Sequence, residues 1–87
     1  MRKLPSGHLQ ADTTVRSAAD IGRVVRQTRQ HQKLRQLDLA GLANSGNRFI
    51  VELEKGKPSV QLQKVLEILG LLGLEVILRR RGASGGF

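Results

Sequence analysis

Apolar side chains recur with a helical period between residues 17 and 31. The stripe consists of Ile21, Val24, Val25 and Thr28, at positions i, i+3, i+4 and i+7. Side chains with this spacing lie on one face of a helix. Ser17 precedes the stripe and Asp20 follows three residues later, a pattern typical of a helix N-terminus because the hydroxyl can accept from a free backbone N–H. We expect a first helix that begins near Ser17 and ends near His31.

Two shorter apolar groups follow, and a turn signature separates them. The first comprises Leu37, Leu39, Ala40, Leu42 and Ala43, and the second comprises Phe49, Ile50 and Leu53. Between them, residues 44–47 read Asn-Ser-Gly-Asn, and Asn and Gly tolerate left-handed backbone conformations. Gly56 suits the position after a helix and Pro58 blocks continuation. The pattern predicts two short helices joined by a tight turn.

A fourth apolar stripe begins after Pro58. Its members are Leu62, Val65, Leu66, Leu69 and Leu72, and Ser59 can cap the helix that carries them. The four stripes together predict an all-α fold with one compact core.

The segment from Leu74 to Leu78 departs from the helical pattern. It follows Gly70 and Gly73, and its alternation favours a β-strand with Leu74, Val76 and Leu78 on one face. A lone strand in a helical domain leaves backbone groups unpaired, and the same strand of a second copy could pair with it across a two-fold axis. We predict a dimerisation strand over residues 74–79, formed by Leu74, Val76, Ile77 and Leu78. The alternative is that these residues extend the fourth helix.

Composition narrows the classes of function. The chain has 87 residues, a formal net charge of +8, no cysteine and two aromatic residues. This length predicts one small domain, the absence of cysteine excludes disulfides and thiol chemistry, and two aromatics are too few for base-stacking platforms. No apolar run is long enough to span a membrane, and we expect neither a secretory signal nor a location outside the cytoplasm. The positive charge favours a polyanionic partner.

The charge is concentrated at the two ends of the chain. Eight basic and two acidic residues lie in 1–35, four of each lie in 36–73, and three basic and one acidic residue lie in 74–87. A solvated surface with basic tails is the alternative interpretation of this distribution.

Residues 36–53 fit the spacing of a helix-turn-helix. This unit needs a small residue where the helices cross, a turn residue with positive φ, and apolar residues that dock the second helix. Ala40 provides the small residue, Asn44 lies at the turn, and Ile50 and Leu53 lie six and nine residues beyond it.

The run LRQLDLAGLANSGNRFIVELEKGKPS resembles the repressor-type (Cro-like) helix-turn-helix family. The matching residues are Leu34, Gln36, Leu39-Ala40, Phe49-Ile50, Leu53-Glu54, Gly56 and Pro58-Ser59. The similarity covers residues 18–72, and the following LGLEVIL segment makes the chain similar to HipB-type antitoxins. The resemblance implies a lambda-repressor-like domain of four to five short helices, a homodimer joined by C-terminal strands, and a HipA-like serine/threonine kinase toxin as partner.

The resemblance also implies which residues contact double-stranded DNA. Asn47 and Arg48 would project towards bases from the start of the recognition helix, since Asn can pair with adenine and Arg with guanine. Gln36 would contact a phosphate and brace that helix. The expected DNA-binding residues are Arg35, Gln36, Ser45, Gly46, Asn47, Arg48, Val51, Lys55 and Lys57. The alternative is that Asn47 and Arg48 are solvated surface residues.

The sequence departs from the family at four positions in this region. Arg35 stands where the family usually has Thr, which removes a helix cap and adds a cation. Asn44 replaces the usual turn glycine, Ser45 replaces a docking Val or Ile, and Gly46 replaces a polar residue. These departures predict a looser start of the recognition helix.

Other titratable residues have structural or open interpretations. The resemblance implies a salt bridge between Arg29 and Glu54. His8 and His31 lack partners at metal-ligand spacing, and the sequence has no phosphate-binding loop and no acid–base pair beside a nucleophile, so we expect no metal, no cofactor and no catalysis. Arg23 and Arg26 stay open between solvent, DNA and a protein partner.

These observations predict a dimeric, sequence-specific repressor in the bacterial cytoplasm, associated with the nucleoid. The expected organisation is a basic arm over 1–16, a DNA-binding domain over 17–73, the dimerisation strand over 74–79 and a flexible tail over 80–87. The leading hypothesis is a HipB-like antitoxin that represses its own operon. The alternatives are a phage-type or metabolic repressor without a toxin, a protein-interaction module that has lost DNA reading, and a basic membrane-binding peptide.

Overall fold

The computed structural model describes residues 12–82, which contain four helices and no β-strand. The helices are α1 (Ala18–His31), α2 (Gln36–Leu42), α3 (Asn47–Glu54) and α4 (Leu62–Leu71). The all-α architecture and the helix-turn-helix order of α2 and α3 agree with the sequence pattern. Residues 1–11 of the expected arm and residues 83–87 of the expected tail lie outside the described part of the chain.

The first helix begins at the predicted cap. The Ser17 hydroxyl accepts from the backbone N–H of Asp20 at 3.2 Å, and the Asp20 carboxylate accepts from the backbone N–H of Arg16 at 2.8 Å. The hydrogen bond from Arg16 is the main reason that the pKa of Asp20 is lowered. The serine and the aspartate thus satisfy backbone donors that the helix itself leaves free.

Each helix ends with a residue in the left-handed region. The four residues are Lys33 (φ 63°), Asn44 (φ 53°), Gly56 (φ 87°) and Gly73 (φ 83°). After α3, the N–H of Gly56 donates to the Leu53 carbonyl at 3.0 Å and that of Lys57 donates to the Glu52 carbonyl at 3.1 Å. This pair of bonds defines a Schellman motif, and equivalent pairs close the other three helices.

One hydrophobic cluster joins all four helices. Its buried members are Val25, Leu39, Ala40, Ile50, Leu53, Val65, Ile68, Leu69 and Leu72. Ala40, Ile50 and Leu53 are the residues that the helix-turn-helix spacing assigned to the interior, and the structure buries all three.

Gly22 lets α1 lie directly against the C-terminal part of α3. A Cβ atom at this position would collide with the Leu53 carbonyl oxygen and come within 2.8 Å of the Glu54 carbonyl oxygen. This approach brings the buried face of α1 to the part of α3 that carries Glu54.

The prediction for the start of α4 is wrong. Ser59 lies in a turn, and the helix begins three residues later at Leu62, after Gln61, which makes no side-chain cap. Val60 packs partly buried against the core, so residues 58–61 form a connection instead of a first helical turn.

The predicted apolar stripe of α4 is also partly wrong. Leu62 is 67% exposed and Leu66 is also exposed, whereas Ile68 is 1% exposed and belongs to the core. The buried face of α4 is therefore rotated from the predicted one, because the helix docks on the core through Val65, Ile68 and Leu69.

The predicted β-strand is not confirmed. Residues 74–80 have no regular secondary structure. Leu74 packs half-buried against the core, but Val76, Ile77 and Leu78 are exposed, Leu78 to 93%. A β-strand requires hydrogen bonds from a neighbouring strand, and residues 12–82 of one chain provide none. The alternative that these residues continue α4 is wrong, since the helix ends at Leu71.

Candidate nucleic-acid interface

The α2–α3 unit is held by a tight turn around Asn44. Asn44 takes the left-handed conformation (φ 53°), and the next backbone N–H, that of Ser45, donates to the Ala40 carbonyl at 2.9 Å. Asparagine adopts this conformation more readily than most residues because its short polar side chain can bond locally. The turn therefore forms without the glycine that the family usually has.

The beginning of α3 is exposed and polar. Gly46 is the N-cap and has no side chain to bond the first turn, while Asn47 and Arg48 are exposed on the first two helical positions. The half-buried Ser45 directs its hydroxyl to the Gly46 carbonyl at 3.4 Å. The structure thus brings the predicted residues 45–48 together at one helix end, where an amide and a guanidinium reach solvent.

Arg48 is 89% exposed in its side chain, yet it is held at its base. Its Nε donates to the Glu52 Oε2 at 3.1 Å, and the second oxygen of the same carboxylate lies 3.2 Å from the Lys57 Nζ. Hydrogen bonds from Lys57 and then Arg48 lower the pKa of Glu52. Sequence reasoning did not assign a role to Glu52, although its i, i+4 spacing from Arg48 was a readable signal.

A buried ionic network fixes α3 relative to α1 and α2. The Arg29 guanidinium forms a two-pronged salt bridge with Glu54, at 2.6 and 3.0 Å, and also donates to the Leu34 carbonyl at 2.8 Å. The two side chains are only 9% and 3% exposed. Gln36 Nε2 adds a third donor to the Glu54 carboxylate at 3.1 Å. The structure therefore contains the salt bridge that the resemblance implied, and it places Gln36 as a brace on α3.

Arg35 forms the N-terminus of α2 together with Asp38. The Asp38 carboxylate accepts from the Arg35 backbone N–H at 2.8 Å and from its guanidinium at 2.9 and 3.1 Å. These bonds lower the pKa of Asp38 to about 2, and the carboxylate in turn raises the pKa of Arg35. The Thr of the family is thus replaced by an Arg that makes no side-chain cap, while Asp38 accepts from the backbone N–H of Arg35.

A cleft of about 420 Å³ opens between α1, the start of α2 and the end of α3. Its lining residues are Arg26, Arg29, Arg35, Gln36, Val51, Glu54 and Lys55. The cleft collects four of the predicted DNA-binding residues and adds Arg26, which the sequence left open. Three exposed cations at its rim, Arg26, Arg35 and Lys55, suit the position of a phosphate backbone more than that of a base.

The predicted interface residues thus form two adjacent groups. Residues 45–48 occupy the start of α3, and the second group, Arg35, Gln36, Val51 and Lys55, surrounds the cleft. Lys57 lies after α3 and reaches back to Glu52. The residues predicted to form a dimerisation strand, Leu74, Val76, Ile77 and Leu78, belong to neither group.

The described residues contain no group of three or more histidines or acidic side chains arranged to hold a metal ion. Within residues 12–82, no helix has the length and apolar character needed to cross a membrane.

A known bacterial protein is similar over most of the chain. The chain is 52% identical over 62 residues to the uncharacterized HTH-type transcriptional regulator y4mF of Sinorhizobium fredii, a match that covers 71% of this chain and 82% of that protein. No family model matches the sequence. The relative shares the residue pattern over a span that must include most of the helical domain.

Proposed function

Because the chain belongs to the HTH-type transcriptional regulators, we propose that it is a sequence-specific DNA-binding repressor that acts as a dimer. The observation that carries the proposal is the α2–α3 unit with Asn47 and Arg48 exposed at the start of α3. A helix of this kind enters the major groove by its N-terminal end, where an amide and a guanidinium can discriminate adenine and guanine.

Affinity and sequence preference have different sources in this proposal. Arg35, Gln36 and Lys55 at the cleft contact phosphates, which positions the duplex but does not read it. Ser45 and the backbone at Gly46 add phosphate contacts, and Val51 contacts a thymine methyl group. Release of counterions from DNA supplies most of the binding free energy.

A binding assay with matched variants tests the proposal. Duplexes are selected from a randomised pool with the wild-type chain, and dissociation constants are then measured at several salt concentrations. Asn47→Ala with Arg48→Ala is expected to reduce the preference for the selected sequence by about 30-fold or more, since the two base contacts contribute about 1–3 kcal/mol each. Gln63→Ala with Arg80→Ala is the control, because it also removes one amide and one cation but from α4 and the tail.

The repressor function is refuted if the wild-type chain selects no sequence, or if the double variant at residues 47 and 48 binds the selected duplex as well as the control does. A chain with no preference would support the second candidate, a protein-interaction module. That candidate is favoured by the equal numbers of acidic and basic residues in 36–73 and by the exposed Leu37 and Leu42.

The proposed dimer uses the C-terminal segment. The exposed Val76, Ile77 and Leu78, together with the half-buried Leu74, support pairing with the same segment of a second copy, which would satisfy the backbone groups of an antiparallel strand. Val76→Asp with Leu78→Asp is expected to convert a dimer into a monomer in sedimentation equilibrium. A stable dimer has a dissociation constant well below about 100 µM. A wild-type chain that is still monomeric at that concentration would contradict the dimer, and DNA binding would then be judged separately.

The most specific form of the proposal is an antitoxin that represses its own operon in the bacterial cytoplasm and binds a HipA-like serine/threonine kinase toxin. Its support is the resemblance of the helix-turn-helix and LGLEVIL segments to HipB-type antitoxins. The test is whether the neighbouring reading frame encodes such a kinase and whether the two products co-purify at equal stoichiometry. Absence of the kinase removes the antitoxin role, in which case a repressor without a toxin stands.

A further inference from the structure

We infer that Glu52 is a positioning residue for base recognition: its carboxylate, anchored by Lys57, holds the Arg48 guanidinium in the orientation that reads a guanine. The inference rests on the proposed function, because it assigns a role to the side chain next to the one proposed to contact a base. It concerns a residue for which neither the sequence pattern nor the relative supplies a role.

The geometry carries the first step. An exposed arginine normally samples many rotamers, and ordering it costs free energy when it binds. In this chain the Glu52 carboxylate engages only the Nε of Arg48, at 3.1 Å. The two terminal amino groups lie outside that contact, and these are the donors that can pair with O6 and N7 of guanine.

The second step is the anchor of Glu52 itself. Lys57 donates to the other carboxylate oxygen at 3.2 Å, and its own backbone N–H bonds to the Glu52 carbonyl at 3.1 Å. Gly56, with φ 87°, turns the chain so that both bonds form. The motif that ends α3 therefore also fixes the carboxylate. Lys57 holds Glu52 in place, and Glu52 in turn holds Arg48.

Charge gives the inference a distinctive signature. A carboxylate near DNA repels phosphates, so its removal strengthens binding that depends only on charge. Loss of the same carboxylate frees Arg48 and weakens discrimination between bases. Glu52→Gln is thus expected to raise the affinity for any duplex and to lower the preference for guanine. A purely structural role of Glu52 would not change these two quantities in opposite directions.

The test uses the full chain and the duplex that the wild-type protein selects. The guanine position that depends on Arg48 is identified as the one whose preference disappears in Arg48→Ala. At that position, the wild-type chain and Glu52→Gln are compared on duplexes carrying guanine, 7-deazaguanine and adenine. Glu67→Gln is the control, because Glu67 is another helical carboxylate with an i, i−4 partner, Gln63 at 3.2 Å, although it is more exposed than Glu52.

Glu52→Gln is expected to lower the guanine preference about 3- to 10-fold, a part of the value of one bidentate pair, and to bind a random duplex more tightly than the wild type. The ¹⁵N–¹H signal of the Arg48 Nε–H is expected to exchange with solvent faster in this variant. Glu67→Gln should leave the guanine preference and the exchange of the Arg48 Nε–H unchanged. It should raise the affinity for a random duplex only by the small effect of losing one negative charge.

The outcomes separate the two levels of the proposal. If the wild type prefers guanine and Glu52→Gln shows the same preference, the proposed role of Glu52 is overturned and the repressor function is unaffected. An equal loss of affinity for all duplexes, or a guanine preference that does not depend on Arg48, also overturns it. A wild-type chain without sequence preference refutes the repressor and this inference together.

Discussion

Lys33 adopts a backbone conformation that suits glycine better than lysine. Its φ of 63° closes α1, and a residue with a Cβ atom pays roughly 1–2 kcal/mol in that region. Lys33→Gly is expected to raise the free energy of unfolding by about 0.5–1 kcal/mol, since part of the relief is lost to the greater freedom of glycine in the unfolded chain. Chemical denaturation measures the change.

Lys55→Gly is the control for this substitution. Lys55 is also a lysine at the end of a helix, but its φ of −80° is an ordinary right-handed conformation. Glycine at this position brings no relief and is expected to lower stability. A gain at Lys55 equal to that at Lys33 would show that left-handed strain is not the cause.

Asp38 makes the N-terminus of α2 sensitive to acid. Its pKa is lowered from 3.8 to about 2, chiefly by the hydrogen bonds that Arg35 donates from its side chain and its backbone. The unfolded chain binds a proton at this carboxyl more readily than the folded chain, so its contribution to stability is complete above about pH 4 and is lost as the pH falls through about 2.

Asp38→Asn is therefore expected to lower the Tm by a few degrees at pH 7, and the difference from the wild type should shrink between pH 4 and pH 2. Thermal melts followed by circular dichroism at a series of pH values measure it. Glu67→Gln, which alters an exposed carboxylate with no such bonds to a helix N-terminus, should show no comparable pH-dependent difference. A difference for Asp38→Asn that stays constant down to pH 2 would contradict the role of the ionised carboxylate.

Individual residues at the candidate site were unequally predictable from sequence. The resemblance implied the Arg29–Glu54 salt bridge and Gln36 as a brace, and both contacts are present. Glu52 was missed because its role depends on where Lys57 returns after the turn at Gly56. A pattern of charges gives the spacing along one helix but not the residue that a turn brings back to it.

The contact between α1 and α3 depends on the absence of a side chain at Gly22. Gly22→Ala would place a Cβ atom against the Leu53 and Glu54 carbonyl groups, which are backbone and cannot move aside alone. We expect a loss of about 2–4 kcal/mol in the free energy of unfolding, within the range for overpacked contacts and displaced helices. Chemical denaturation measures it.

Gly41→Ala provides the matched control within α2. A Cβ atom at Gly41 has no neighbour within 4 Å, so the higher helix propensity of alanine should stabilise the chain by up to about 1 kcal/mol. Opposite signs for the two substitutions are expected. A destabilising Gly41→Ala would contradict the helical propensity argument, and a neutral Gly22→Ala would contradict the close approach of α1 and α3.

At the scale of elements, the sequence predicted the type and order of the helices better than it predicted which face of each helix is buried. The start of α1 was predicted from Ser17 because the cap is a local interaction. The start of α4 was not, because Val60 packs against the core and delays the helix. Leu62 is exposed and Ile68 is buried, contrary to the predicted stripe, since a helix face depends on the elements against which it docks.

For the whole molecule, net charge and sequence reading belong to different parts of the chain. The formal charge is +8, but residues 36–73 carry equal numbers of acidic and basic residues. General attraction to DNA thus comes mainly from α1 and both ends of the chain, whereas residues 36–73, which include the proposed reading unit, carry no net charge. The strand predicted over 74–79 is absent from the described residues of one chain, because a β-strand needs a neighbouring strand to bond with.

Because general attraction and sequence reading belong to different residues, the effect of replacing Lys55 on DNA binding can be predicted. Lys55 is exposed at the rim of the cleft, and Lys55→Gln is expected to weaken binding to every duplex and to reduce the slope of log K against log salt by about 0.9. The preference among sequences should not change. Titrations at three or more salt concentrations test this, with Lys64→Gln on α4 as the control. A loss of preference without a change in slope would place Lys55 at a base.

The four left-handed helix ends also have a kinetic consequence. Each helix-terminating motif involves only about six consecutive residues, so the end of each helix can form before distant parts of the chain come into contact. Small helical domains with mainly local contacts fold in microseconds to milliseconds. In the proposed dimer, the delay between synthesis and activity is then set by the encounter of two copies. That delay shortens as the protein accumulates, so repression would strengthen with concentration more steeply than in proportion to it.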